Sequence, residues 1–310
     1  CRAALAQHAS VSDYHTSGAW VAVAIAGVAS RLMDLSLEQT RHAMGIAEYH
    51  GPRSQMMRCI DHPTMLKDGS GWGAMCGVSA ARMAKAGFTG APALILQTEH
   101  WYDLGENWLI TQQYFKPYPV CRWAQGPIAA VLDLKSRYDF KSKDVASVHI
   151  TSFHEAVRLG QKDVTNTEEA QYSTSFPCAV ALVHGNILPE HIADDALKDP
   201  EVQRLSSVLT MSEDDHANLV FPESRLARAD ITLKNGQVLS STWFEPKWDA
   251  SAPPTKKELT KKFKNYATPV LGETRTEAIY EAVFNLDTTE TEQLFGLISS
   301  SLQKPLANVS

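Results

Sequence analysis

The spacing of apolar residues divides the 310-residue chain into three textures. Over the first hundred residues the period is that of helices. Residues 18–33 are rich in alanine and valine, small enough for close helix packing. Ser36-Leu37-Glu38-Gln39 predicts a capping box. In that motif the serine and the residue three positions on satisfy two orphan N–H groups reciprocally, opening a helix expected to run to about residue 48. Residues 72–86 predict another helix, stopped at Gly87. Residues 88–107 are turn-rich and are expected to cover the surface.

The texture changes at Phe115-Lys116-Pro117-Tyr118-Pro119, where two prolines end the helical region. One more helix is expected over 124–136. Residues 145–153 alternate apolar and polar, the period of a strand. Residues 168–184 predict a helix ending at Gly185, and 199–209 a short amphipathic one. Asn235-Gly236 between runs at 229–234 and 237–244 predicts a hairpin. A linker at 252–255 precedes helices over 256–265 and 274–286. The expected fold class is therefore mainly α with an α+β domain. An all-helical domain formed from both chain ends, 1–114 and 255–310, would carry a smaller α+β domain at 115–254. Sites tend to lie at such domain boundaries.

Composition narrows the classes. A formal charge of −6 argues against a general nucleic-acid binder. The longest apolar run, 19–29, is too short to span a bilayer, so no membrane partner is expected. Five scattered cysteines (Cys1, Cys59, Cys76, Cys121, Cys178) without a C-x-x-C predict reduced cytoplasmic thiols rather than a disulfide framework or a metal cluster. The chain opens on Cys1-Arg2-Ala3-Ala4-Leu5, which resembles the middle of a helix, and is expected to be the later part of a longer protein.

Three groups of residues can carry chemistry. In Leu66-Lys67-Asp68-Gly69-Ser70-Gly71-Trp72-Gly73, a lysine and alternating glycines open a helix. A helix N-terminus offers unpaired N–H groups and partial positive charge, so this is a candidate site for phosphate or carboxylate. Its order is not that of a P-loop, whose lysine follows the glycines. The plain alternative is a tight turn with a solvated Lys67. The second group is Asp13-Tyr14-His15-Thr16-Ser17-Gly18. His15 is a candidate acid or base because imidazole titrates near neutrality. Thr16 or Ser17 would donate to a carboxylate or simply cap the following helix. The third is the segment from Phe115 to Trp123. There Arg122 can grip a carboxylate, Tyr118 can donate a proton, and Lys116 adds charge; a solvated hinge is the alternative. His42, His50, His62, His149, His154 and His184 lack metal-ligand spacing, and the Lys256-Lys257 and Lys261-Lys262 pairs are read as the wet face of a helix.

Taken in order, these segments resemble the MmgE/PrpD family. His15-Thr16-Ser17-Gly18 is similar to its H-x-T-G segment, and Lys67 to its lysine turn. Lys116-Pro117-Tyr118-Pro119 with Cys121-Arg122 is similar to K-x-Y-P-x-C, and Glu169-Ala170-Gln171-Tyr172-Ser173 to E-A-x-F-S. The resemblance spans nearly the whole chain. It implies a metal-independent, cofactor-free homodimer acting on a small polycarboxylate, by proton transfer beside a carboxylate. A dehydratase-like lyase is the leading expectation, with His15 and Lys67 as acid/base residues. Thr16, Ser17, Lys116, Tyr118 and Arg122 would bind substrate. An isomerase, epimerase or decarboxylase of the same family is the alternative. Gly69-Ser70 and Gln125 stand where many members carry histidine, and Phe176 where a tyrosine is common. Those substitutions motivate a further alternative, a non-catalytic carboxylate binder.

Overall fold

A computed structural model describes residues 18–53, 55–67, 69–97, 102–160 and 162–300. Helices α1 (Gly18–Leu32), α2 (Leu37–His50), α3 (Met57–Asp61) and α4 (Ser70–Lys85) come first. The Ser36 capping box is present, with Gln39 N donating to Ser36 Oγ at 3.2 Å. Helices α1, α2 and α4 enclose an alanine-lined core that includes Ala22, Ala26, Ala43, Ile46, Ala80 and Ala81. The packing leaves no room for a methyl group at the crossing of α1 and α4. A Cβ on Gly77 would lie 2.5 Å from the Ala22 carbonyl oxygen.

Short α3 belongs elsewhere. Met57 and Ile60 share an apolar cluster with Trp123, Phe153, Leu159 and Ala217. Asp61 pairs with Arg158. The stretch just before Lys67 is thus anchored to the mixed part of the chain, while α4, just after it, packs with α1 and α2.

The mixed part contains α5 (Gln125–Arg137), β1 (Val145–Ser152), α6 (His154–Val157), α7 (Thr167–Gln171), α8 (Ser175–His184), α9 (Pro200–Ser207), β2 (Leu209–Glu213), α10 (Asp215–Val220), β3 (Ala227–Leu233) and β4 (Val238–Ser240). Among the described residues these strands form one mixed sheet in the order β2-β1-β3-β4. β1 runs parallel to β2 and antiparallel to β3, which forms the expected hairpin with β4 around Gly236 at φ 88°. Alternate residues of β3 (Ala229, Ile231, Leu233) face a core shared with α5, α8 and α9.

Helices α11 (Lys256–Leu271), α12 (Glu273–Phe284) and α13 (Thr291–Ser299) follow. Thr255 opens α11 with its own capping box to Glu258, so the expected linker ends as a helix cap. Helix α11 also runs six residues beyond the expected 265.

One expectation is corrected. The helix expected over 168–184 is two helices, α7 and α8, broken at Tyr172-Ser173-Thr174. Pro177 has no N–H to give and its ring excludes the carbonyl four residues back; Ser173 Oγ instead accepts from Phe176 N at 3.1 Å. Strand β2 and helix α13 were not anticipated.

Candidate active site

Lys67 stands between the two anchored segments. The turn after it closes with Gly69 N donating to the Lys67 carbonyl at 2.6 Å, and Gly69 takes φ 80°, a left-handed conformation costly for any residue with a Cβ. Gly69 occupies the N-cap of α4 and brings no capping side chain. Lys67 Nζ lies 4.6 Å from the centroid of the Tyr172 ring, a cation–π contact. The break between α7 and α8 puts that ring there. Among the described residues the buried Nζ has no hydrogen-bond partner. Burial pulls the Lys67 pKa below the ordinary lysine value, opposed by Glu168 and Cys59 and reinforced by Lys116. The Lys67 ammonium thus gives up its proton more readily than an ordinary lysine, and it lies within electrostatic reach of a second cation, Lys116.

The Lys116-Pro117-Tyr118 segment is held on several sides. Gln125, buried at the start of α5, accepts from Tyr118 N at 3.4 Å and donates to the Tyr118 carbonyl at 3.2 Å and the Val120 carbonyl at 3.3 Å. Cys121 N donates to the Gln171 carbonyl at 2.9 Å, which ties the segment to α7. From α11, Lys262 donates to the Lys116 carbonyl and Tyr266 Oη to the Pro117 carbonyl at 3.3 Å. Lys116 itself is exposed and within electrostatic reach of Lys67, Lys262 and Cys121. Burial raises the Tyr118 hydroxyl pKa, keeping it a neutral donor. Tyr266 is pushed up to about 12 by burial, with Tyr118 and Glu190 adding to the effect.

Arg122 is committed to other partners. Its side chain is 5% exposed and pairs with Asp249 at 2.5 Å. It also donates to the Phe115 carbonyl at 3.3 Å and the Lys247 carbonyl at 3.2 Å, and stacks over the Tyr114 ring at 3.8 Å. Phe115 N in turn donates to the Trp248 carbonyl at 3.0 Å. The guanidinium therefore fastens the 114–116 stretch to 247–249.

The structure thus brings Lys67 within electrostatic reach of Lys116, on the segment that also carries Tyr118, and Arg122 braces the start of that segment as a strut. His15, Thr16 and Ser17 lie outside the described residues. Sequence reasoning missed Tyr172, Lys262, Tyr266 and Asp249. The reading of Lys262 as solvated is corrected, because it is half-buried with its ammonium on a carbonyl. The i, i+4 spacing of Lys262 and Tyr266 was the available signal. A cavity of about 250 Å³ opens beside Pro117 and Tyr118, reaching Gln125, Asp133 and Lys247; Lys67 is not on its wall. Among the described residues no three His, Cys, Asp or Glu side chains gather as a metal-binding group, and no helix is long and apolar enough to cross a membrane. The four described cysteines are free thiols.

A mainly helical chain with a small mixed sheet and a lysine-rich site is the class this geometry defines. The chain belongs to the MmgE/PrpD family: the MmgE/PrpD N-terminal domain matches residues 1–108 and the MmgE/PrpD C-terminal domain residues 118–288. It is similar to the probable 2-methylcitrate dehydratase of Saccharomyces cerevisiae, 25% identical over 63% of this chain and 42% of that protein. It is 25% identical to the mitochondrial 2-methylcitrate dehydratase of Yarrowia lipolytica, over 71% of this chain and 47% of the relative. With the cis-aconitate decarboxylase of Aspergillus terreus it shares 22% identity, over 95% of this chain and 66% of the relative. The chain therefore spans about half the length of the two dehydratases.

Proposed function

We propose that this protein is a lyase acting on a small polycarboxylate, by removing a proton from a carbon next to a carboxylate. The observation that carries the reading is the half-buried Lys67 amine, without a hydrogen-bond partner among the described residues and within electrostatic reach of Lys116. Lys67 or His15 takes the α-proton. The C–H electron pair forms the new C=C bond, and the β-hydroxyl leaves as water after receiving a proton from the other acid/base group or from Tyr118. Negative charge building on the carboxylate side is met by ammonium groups already in position. Thr16, Ser17 and Lys116 hold substrate carboxylates, and Arg122 contributes by fixing the segment that carries Lys116 and Tyr118. In this reading the mixed part acts as a lid on a helical domain drawn from both chain ends. The kinship with two dehydratases supports elimination of water.

A second reading, decarboxylation, is favoured by the match to cis-aconitate decarboxylase over 95% of this chain. The two are separated by assaying the full-length protein with 2-methylcitrate, citrate, cis-aconitate and iminodisuccinate while monitoring alkene formation and released carbon dioxide. Lys67→Ala and His15→Ala are each expected to lower kcat/KM at least 100-fold, within the range of general acid–base contributions. Unchanged turnover in both variants would overturn the assignment.

A further inference from the structure

Two donors one helical turn apart on α11, Lys262 and Tyr266, grip two successive carbonyls, those of Lys116 and Pro117. They belong to the segment that carries Lys116 and Tyr118. Simple bracing would be served by neutral donors. Here one of the two is an ammonium group, half-buried and within reach of Lys116, which is itself within reach of Lys67. Three cations from three separate elements thus share one region. Among the described residues, the carboxylates that bear on it are Glu168, near Lys67, and Glu190, near Tyr266. Lys67 and Lys262 are partly withdrawn from water, which strengthens their repulsion with Lys116, and an arriving polyanion relieves that repulsion.

We propose that Lys262 is a substrate-binding residue, taking a carboxylate other than the one beside the proton that Lys67 moves, and that Tyr266 positions the Lys116–Tyr118 segment for it. This inference rests on the polycarboxylate reading above. It narrows the substrate class to molecules with at least two carboxylates on different carbons, bridging the turn before α4 and helix α11.

The probe is tricarballylate, a tricarboxylate with no hydroxyl to eliminate. Calorimetry on the full-length protein is expected to show binding roughly tenfold weaker in Lys262→Gln, the size of one charge-assisted contact. Lys262→Arg should stay within about threefold of the parent. Turnover should show the same split, a raised KM with kcat little changed. A measurement on the unsubstituted protein guards against misfolding of the variants: acetic anhydride labelling with and without saturating tricarballylate. Lys67 and Lys262 should both be protected while exposed Lys261 is not. Protection of Lys67 without Lys262, or tight binding by Lys262→Gln, would overturn the inference and leave the lyase reading standing. No tricarballylate binding by the parent protein would overturn both.

Discussion

Replacing Arg122 separates its two possible roles, direct substrate ligand and internal strut. In Arg122→Ala the Phe115 and Lys247 carbonyls lose their charged donor, Asp249 loses its counter-ion, and Tyr114 loses the cation stacked on it. Removing one partner of a buried ion pair costs about 3–5 kcal/mol. Arg122 is 5% exposed but Asp249 is 47% exposed, so solvent will take up part of the orphaned carboxylate's charge and the lower end applies, about 3 kcal/mol. At roughly 2 °C per kcal/mol for a chain of this size, Tm should fall by about 6 °C. Asp249→Asn keeps an oxygen acceptor and loses only charge, so a smaller drop of roughly 2 °C is expected. Thermal unfolding followed by circular dichroism reads both. A variant with unchanged Tm whose KM alone rises would refute the reasoning and make Arg122 a ligand open to substrate.

Gly77→Ala should destabilise by about 1–3 kcal/mol despite alanine's better helix propensity, because its Cβ would meet the Ala22 carbonyl oxygen at 2.5 Å and Ala26 N at 2.8 Å. Gly71→Ala, with nothing within 4 Å, should be neutral or slightly stabilising, and urea titration of both variants reads the difference. Lys67 is held below its ordinary pKa chiefly by burial, so the unfolded chain binds its proton more tightly than the folded one. Stability should therefore rise with pH between the folded value and the unfolded 10.5, and Lys67→Met should abolish that rise while abolishing turnover. In the parent protein kcat/KM should climb with pH through the same lowered value, and the limb should vanish in Lys67→Met. Burial pushes the Cys121 thiol up to about 11 and raises Cys178 further, so neither should react with iodoacetamide at pH 8 until the protein unfolds, as peptide mass mapping would show.

The elements legible in the sequence were those whose signals are local. The Ser36 box, the Gly87 stop and the Asn235-Gly236 turn each concern a few adjacent residues, and each marks a boundary in the structure. Strand β2 carries no such signal. Only Leu209 of its five residues is buried, so no alternation exists to read. Its conformation follows from parallel pairing with β1, residues distant in the chain. The unbroken helix expected over 168–184 failed for the opposite reason, since Pro177 was a local signal left unweighted. The resulting break is what lets Tyr172 face Lys67.

Within the site, residue types were legible and their availability was not. Lys67, Lys116 and Arg122 are all cations beside turns, and the sequence offers no ground for ranking them. What ranks them is the partner each already has. Arg122 meets Asp249, 127 positions away, and two carbonyls besides, so a substrate carboxylate would have to compete with a short ion pair in a buried place. Lys67 meets the face of a neutral ring, which lowers the energy of its charge without supplying an acceptor. An incoming carboxylate gains a hydrogen bond there that nothing described now occupies. Lys262, read as solvated, reaches the same region only because α11 returns to a segment 146 positions earlier. A cation is available to a substrate to the degree that folding leaves its donors unfilled, and long-range contacts set that degree: Asp249 and two carbonyls hold the Arg122 guanidinium, one carbonyl holds the Lys262 ammonium, and no described acceptor holds Lys67.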